Sequence, residues 1–137
     1  EKSSRGTDSR IYPWGNEFET SRCNNRYSAA VRSLPSTIDK FPVDCSPYGV
    51  MGMAGNSSDW CLDAHRKHPL LENQRIVKEI IDDDPQVERV MRGGSWDSAG
   101  SGCRISRRNG NIAITRLASL GTRICRSVKE DSEDAPS

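Results

Sequence analysis

Motifs rich in Gly, Trp and Arg, placed in a fixed order along the chain, constrain its fold more than any other feature. They begin at Tyr12, Tyr48, Arg89, Cys103 and Leu120 and read YPWGNEF, YGVMGMAGNSSDW, RVMRGGSW, CRISRRN and LGTRIC. Glycine lets backbone segments approach closely, and tryptophan supplies a large apolar anchor. A single motif of this kind arises easily by chance, but five in series predict one folded unit over most of the chain.

Composition narrows the class of protein. The 137 residues allow one domain, of which only 34% is hydrophobic and 6% aromatic. This is low for a chain that buries its own core, and it indicates either a loop-rich fold or a fragment that packs against missing sequence. The net charge of +1 gives no field for nucleic acid. Because the chain also lacks a signal peptide and any apolar run near the roughly 18 residues of a membrane span, we expect neither nucleic acid nor membrane as a partner.

Local patterns predict three structural features. Residues 1–11 read as the end of a helix that stops at Gly6. Residues 20–47 carry Asn, Ser, Pro and Asp without a clear period, which predicts a long ordered loop. Val87 to Met91 alternate as in a core strand, which leads into Gly93.

The motif series resembles the C-terminal half of the formylglycine-generating enzyme family, also called the sulfatase-modifying-factor domain. The family order is EWE-x-A-A-R-G, Y-P-W-G-N, Y-G-L-x-D-M-A-G-N-V-W-E-W, R-V-x-R-G-G-S-W, R-x-x-x-R-N and L-G-F-R, and the resemblance covers residues 1–126. It implies an α+β fold of the C-type lectin-like type, loop-rich and with the N-terminal part of the domain absent. We therefore expect the parent protein to carry that missing half or a fused domain. Residues 127–137 are polar and acidic, which predicts a disordered tail.

The resemblance places a catalytic site after the RGGSW motif. Enzymes of the family bind Cu(I) there with two cysteines and oxidise a substrate cysteine with dioxygen, since soft thiolates suit Cu(I). The second of these positions is Cys103, the first is Ser98, and the serine beside the copper site is Ser95. A hydroxyl is a hard, weak ligand for Cu(I). We therefore expect neither copper binding nor formylglycine synthesis. Ser58 also argues against catalysis, because the family has a Trp at this position that lines the substrate cleft.

Cys103 has three readings. We favour a small buried residue in a core strand over a surviving reactive thiol or a metal ligand. The five cysteines of the chain are too widely spaced for a zinc module, and their odd number leaves at least one thiol unpaired. Some relatives form a disulfide between the positions of Ser4 and Cys125. Because Ser4 carries no thiol, we expect Cys125 to be a buried free thiol. Unpaired cysteines favour a reducing, cytoplasmic compartment.

The resemblance also implies a structural Ca²⁺ beside the M-A-G-N loop. By position its ligands are Gly52, the carbonyls of Gly55 and Ser57, and Asp59. Calcium needs 6–8 oxygens, and Gly52 supplies no side chain, so the expected site is weak. The alternative is that Asp59 accepts hydrogen bonds within the loop. A second calcium site begins at Asn24, for which the sequence offers no matching acidic partner.

Other polar clusters predict solvated surface. The iron-dependent branch of the family uses three histidines, whereas this chain has only His65 and His68 in a basic loop. Asp82 to Asp84 precede Pro85, which is typical of an exposed turn. We expect no metal at either place.

A ligand-facing surface is expected between residues 97 and 119, where the positions between the motifs are mostly small. The residues expected to face a ligand are Trp96, Asp97, Ser98, Ser101, Arg107, Asn109 and Asn111. In the scaffold behind them, Arg108, Asn109 and Arg116 resemble buried polar staples that satisfy loop carbonyls. The scaffold residues match the family pattern, whereas the residues of the expected ligand-facing surface depart from it. This combination is typical of a binding module.

Two functions follow from these residues. The first is a non-catalytic module that binds a protein or small-molecule ligand, of the kind appended to kinases or surface proteins, with a variable binding protein of a diversity-generating retroelement as a special case. The alternative is a divergent copper- or iron-dependent oxidase that acts on a cysteine or thiol through Cys103 and residues of the missing half.

Overall fold

The computed structural model describes residues 1–31, 33–66, 71–73, 75–76 and 84–126. In chain order the elements are α1 (Lys2–Arg5), β1 (Ser58–Ala64), β2 (Leu71–Glu72), β3 (Arg75–Ile76), β4 (Glu88–Arg92), a 3₁₀ helix (Gly100–Cys103), β5 (Arg108–Ile112) and β6 (Leu120–Gly121). The predictions for the tail at 127–137, His68, and Asp82 and Asp83 lie outside the described residues. Within the described ranges, no helix is long and apolar enough to cross a membrane.

Four strands form a small mixed sheet in the order β5-β4-β1-β6. β4 pairs antiparallel with both β1 and β5, whereas β6 pairs parallel with β1. The register sets Trp60 opposite Met91, and Asp59 opposite Gly121. Strands β2 and β3 form a separate antiparallel pair. The sheet therefore brings the second, third and last sequence motifs side by side.

Three local predictions are confirmed. Helix α1 ends at Gly6, whose φ of 75° is the left-handed conformation that glycine adopts without strain. The predicted core strand is β4, where Val90 is only 2% exposed. Residues 20–31 and 33–47 form turns and bends without a helix or a strand.

The two glycines after β4 allow a close approach between backbone segments. The amide of Gly94 donates to the carbonyl of Ala54 at 2.9 Å. A Cβ on Gly94 would lie 2.6 Å from that oxygen and 3.0 Å from Sγ of Cys103. Gly93 has a φ of 74°, which disfavours any larger residue there. The RGG sequence therefore holds the segment that carries Ser95 against the loop before β1.

The apolar core of the described residues is small, as the composition predicts. One buried cluster contains Tyr12, Cys23, Ala54 and Cys103, with Trp14 and Phe18 packed against them. The other buried hydrophobic residues in the described ranges are Val90, Trp96 and Ile105. The rings of Tyr12 and Trp14 stack with their centroids 5.3 Å apart. So few large side chains cannot order the long loop by apolar burial alone, and polar contacts supply the rest.

Asp44 is the buried polar group that orders the M-A-G-N loop. Its carboxylate is 2% exposed and accepts the amides of Met53, Ala54 and Gly55 at 3.0, 2.8 and 3.0 Å. Burial raises the pKa of Asp44 above its ordinary value, and the three amide bonds offset part of that rise. One side chain thus satisfies three amides that would otherwise lie unpaired beneath the loop.

Two scaffold predictions are wrong. Cys125 is exposed rather than buried, and Arg108 and Arg116 are exposed rather than buried staples. Arg92 performs the stapling role instead: its guanidinium donates to the carbonyls of Ser106 and Arg107 at 3.1 and 2.8 Å and also pairs with Glu1. Arg92 stands on a central strand of the sheet, where its side chain reaches the loop before β5.

Replacing Asp44 with Ala should destabilise the fold strongly. The substitution leaves three loop amides without an acceptor, and each buried unsatisfied group costs about 1–3 kcal/mol, so the loss should reach at least about 3 kcal/mol. Urea unfolding monitored by tryptophan fluorescence measures it. Asp39→Ala serves as the matched control, because Asp39 is exposed, and its unfolding midpoint should not move. Equal midpoints for the two variants would contradict the role of Asp44.

Candidate functional site

Ser95 and Ser98 form a hydrogen-bonded turn directly after the two glycines. The amide of Ser95 donates to Oγ of Ser98 at 2.9 Å, and the amide of Ser98 donates to the carbonyl of Ser95 at 2.9 Å. The guanidinium of Arg107 donates to the same Oγ at 3.3 Å and to the carbonyl of Gly102 at 3.1 Å. The Ser98 hydroxyl oxygen therefore already accepts two hydrogen bonds within the protein. Ser95 is only 6% exposed.

Cys103 lies at the end of the 3₁₀ helix and is fully buried, with an exposure of 0%. Its expected burial is confirmed, but its place is not a core strand. Gly94 packs against its sulfur, so the thiol does not open onto a cleft. A substrate sulfur has no access to Cys103 in this conformation.

Cys23 is the residue that sequence reasoning missed at this site. It is also 0% exposed, and it lies in the same buried cluster as Cys103, close enough for the two thiols to interact. The contact with Cys103 and the burial raise the pKa of Cys23, whereas the hydrogen bond from Cys23 lowers the pKa of Cys103. Of the two thiols, Cys103 is therefore the one that ionises first. Cys23 lies in the aperiodic segment 20–47, outside the five motifs, so no pattern in the sequence marks it.

Arg123 occupies the oxygen cluster beside the M-A-G-N loop. Its guanidinium pairs with the carboxylate of Asp59 at 3.1 Å and donates to the carbonyls of Met51 and Gly52 at 3.0 and 3.2 Å. Of the other expected calcium ligands, the carbonyl of Gly55 accepts an amide two residues further on. The oxygens near Asp59 suit a cation, and a side-chain cation already satisfies three of them. Calcium at this place stays a prediction.

Asn24 belongs to a buried polar network. Its Nδ2 donates to the carbonyl of Leu34 and to Oδ1 of Asn56, at 2.8 and 2.9 Å, and its Oδ1 accepts the Ser28 hydroxyl at 3.0 Å. The hydroxyls of Ser28 and Ser33 both donate to the carbonyl of Asn25. The network contains neutral oxygens, which bind Ca²⁺ more weakly than carboxylates. The second calcium site also stays a prediction.

His65 lies beside a carboxylate where the central strands β1 and β4 meet the solvent. Its Nδ1 lies 3.2 Å from Oε2 of Glu88, and both side chains are partly solvated. Within the described ranges, no group of three His, Cys, Asp or Glu side chains is placed to hold a metal ion. The contact that the structure shows for the His65 ring is therefore a hydrogen bond with Glu88 at the surface.

The residues expected to face a ligand divide into exposed and internal ones. Asp97 is exposed and pairs with Arg26 at 3.5 Å, and Ser101 is exposed as well. Trp96 is buried to 8% exposure, with its indole donating to the carbonyl of Ala118 at 3.3 Å. Asn111, like Asn109 and Arg107, is partly buried. Its side chain accepts the Thr115 hydroxyl at 2.9 Å. Trp96 therefore ties the Ser95–Ser98 turn to the 115–118 segment rather than presenting a surface of its own.

An open groove borders the 115–118 segment. It has a volume of about 500 Å³ and is lined by Trp60, Thr115, Arg116, Leu117, Ala118, Leu120, Gly121 and Thr122. Leu117 is 54% exposed. Trp60 lies on β1, two residues after Ser58.

Removing the Arg123 guanidinium should make the protein more responsive to calcium. Two cations compete for the oxygens near Asp59, so Ca²⁺ should raise the melting temperature of Arg123→Ala more than that of the unchanged protein. Without calcium the variant should lose about 1 kcal/mol of stability, since the pair is partly exposed. Differential scanning fluorimetry with Ca²⁺ and with Mg²⁺ measures both effects. Arg126→Ala is the control, and identical calcium responses in all three proteins would refute competition.

Comparison with known proteins connects these features to a family. A family model described as the sulfatase-modifying factor enzyme 1-like domain matches residues 1–128. The chain is 31% identical over 121 residues to the serine/threonine-protein kinase Pkn1 of Chlamydia trachomatis serovar L2, an alignment that covers 86% of this chain and 18% of the kinase.

Two further relatives carry names from the same family. The inactive C-alpha-formylglycine-generating enzyme 2 of Mus musculus is 26% identical over 141 residues, covering 94% of this chain and 41% of the relative. The hercynine oxygenase of Mycolicibacterium thermoresistibile is 30% identical over 119 residues, covering 84% and 26%. The chain spans less than half the length of each of these relatives. The ordered motifs, the sheet that unites them and the match over residues 1–128 together establish that the chain belongs to the sulfatase-modifying factor enzyme 1-like domain family.

Proposed function

We propose that this chain is a non-catalytic, ligand-binding or regulatory module of its family, with a C-type lectin-like fold. The observation that carries the proposal is the state of the two positions to which the family resemblance assigns the copper cysteines. Ser98 offers a hydroxyl that already accepts hydrogen bonds from Ser95 and Arg107. Cys103 offers a thiol with no exposure to solvent.

Copper-dependent thiol oxidation demands more than these residues provide. Two soft thiolates hold Cu(I), and an open position must admit a third sulfur from the substrate. The Ser98 oxygen is hard and neutral. Moving Cys103 out to meet a metal would break its packing against Gly94 and leave a cavity in a core that has few large side chains. The residues present therefore do not fit a copper site of the family's kind.

The proposed ligand surface is the groove beside the 115–118 segment together with exposed residues of the neighbouring turn. Trp60 and Leu117 supply apolar area in the groove, whereas Asp97 on the turn and Ser101 on the adjoining 3₁₀ helix supply polar groups. Trp96 links the turn to the groove through its hydrogen bond to Ala118. A scaffold that holds apolar and polar groups side by side in this way suits the binding of a protein or small-molecule ligand. A variable protein of a diversity-generating retroelement is a special case of the same proposal.

The relatives support both this proposal and its alternative. One relative is named an inactive formylglycine-generating enzyme, and others are kinases of which the matching part is a small fraction. The hercynine oxygenases, at 30 and 29% identity, favour a divergent oxidase instead. Such an enzyme would require ligands outside the described residues, since His65 is paired with Glu88.

Assay of a cysteine-containing peptide tests the proposal. With Cu(I), dioxygen and a thiol reductant, the chain should produce no aldehyde at the peptide cysteine by mass spectrometry. The Ser98→Cys variant, which restores a second thiol after the RGGSW motif, shows whether the remaining fold supports the chemistry. Aldehyde formed by the unchanged chain and lost in Cys103→Ser would overturn the non-catalytic proposal.

A further inference from the structure

Cys23 and Cys103 form a pair of thiols in the centre of the apolar core. Both are 0% exposed and belong to the same buried cluster as Tyr12 and Ala54. Within this cluster the two thiols lie close enough to interact with one another, and Nδ2 of Asn25 lies 3.7 Å from the Cys23 sulfur. The two residues are 80 positions apart in the sequence, so only the fold brings them together. The other three cysteines are partly or fully exposed.

We propose that Cys23 and Cys103 are a disulfide-forming pair that a peroxide oxidises within the folded protein. The Cys103 thiolate attacks hydrogen peroxide, becomes a sulfenic acid and releases hydroxide. The Cys23 sulfur then attacks the Cys103 sulfur, forming the S–S bond. The sulfenic hydroxyl leaves and takes up the proton of Cys23. Overall, two thiols and one hydrogen peroxide give one disulfide and two waters.

The surroundings favour a disulfide over a bound metal ion. The buried carboxylate of Asp44 lies close enough to both sulfurs to interact electrostatically with them. Two thiolates around a monovalent soft cation would add a net negative charge beside that carboxylate, in a core with little solvent to screen it. A disulfide is neutral and apolar. It therefore suits a pocket lined by an aromatic ring and a methyl group.

Access to the pair also selects the oxidant. Neither sulfur reaches the surface in the folded protein, so bulky alkylating reagents require a large opening. Hydrogen peroxide is close to water in size and enters through smaller fluctuations of the loops above the core. The Cys23 segment and the Ser95–Ser98 turn already meet through Arg26, whose amide donates to the carbonyl of Ser98 at 3.0 Å. A disulfide would lock this junction covalently beside the proposed ligand surface.

The test uses the reduced Cys125→Ser protein, which removes the exposed thiol and leaves four of the five cysteines. After brief peroxide treatment and quenching, the protein is denatured, alkylated and digested. The expected result is a peptide joining residues 23 and 103, with Cys45 and Cys61 alkylated. The equilibrium constant for unfolding should fall by on the order of 10³-fold, because the bond closes a loop of about 80 residues. Dithiothreitol should reverse this change.

Two controls keep the test decisive. Cys23→Ala should yield no crosslinked peptide, and Cys23 and Cys103 of the native protein should resist maleimide until denaturant is added, whereas the other cysteines react. Recovery of Cys23 and Cys103 as alkylated thiols after peroxide would overturn the proposal. So would a sulfinic acid at Cys103, or a bond from Cys103 to Cys45 or Cys61. Because the mapping is done with Cys23 and Cys103 intact, a Cys23→Ala variant that fails to fold does not affect it.

Discussion

The buried carboxylate of Asp44 is the interaction on which the rest of this structure depends. It accepts hydrogen bonds from the amides of Met53, Ala54 and Gly55. These bonds order a loop whose few apolar side chains bury too little surface to order it. The fixed loop presents the Ala54 carbonyl to Gly94, and Gly94 in turn packs on Cys103. This series of contacts fixes the positions of the Ser95–Ser98 turn and the 3₁₀ helix. A single polar residue thus positions the candidate site.

The family resemblance assigns Ser98 and Cys103 to the two copper positions, and under the proposed function neither holds copper. Ser98 offers a hydroxyl rather than a soft sulfur, and this hydroxyl accepts a hydrogen bond from Arg107. At Cys103 the thiol is kept, but it faces Cys23 inside the core rather than a cleft. The four-stranded sheet forms with a serine at position 98 and a buried thiol at position 103. Binding through the neighbouring groove is the function that we propose for this scaffold.

The sequence predicts the backbone of this fold better than its side-chain partnerships. The stop of α1 at Gly6 and the strand before Gly93 follow from local conformational limits, so they could be predicted. Long-range polar contacts could not be predicted, because an arginine pattern does not say which carbonyls the side chain reaches. Arg92 therefore makes the loop contacts that were expected of Arg108 and Arg116, and Arg123 lies among the oxygens of the expected calcium site. Cys23 meets Cys103 only through the course of an aperiodic loop, which leaves no periodic signal.

A Cu(I) titration against a competing chelator tests whether Ser98 and Cys103 still bind copper. We expect the unchanged chain to take no Cu(I) from the chelator. The Ser98→Cys variant should bind one ion tightly, and a second substitution, Cys103→Ser, should abolish that binding. Ultraviolet absorption of the copper–thiolate bond and the chelator's colour report the same event independently. Tight one-to-one binding by the unchanged chain, lost when Cys103 alone is replaced with Ser, would contradict the claim that this member of the family has lost its copper chemistry.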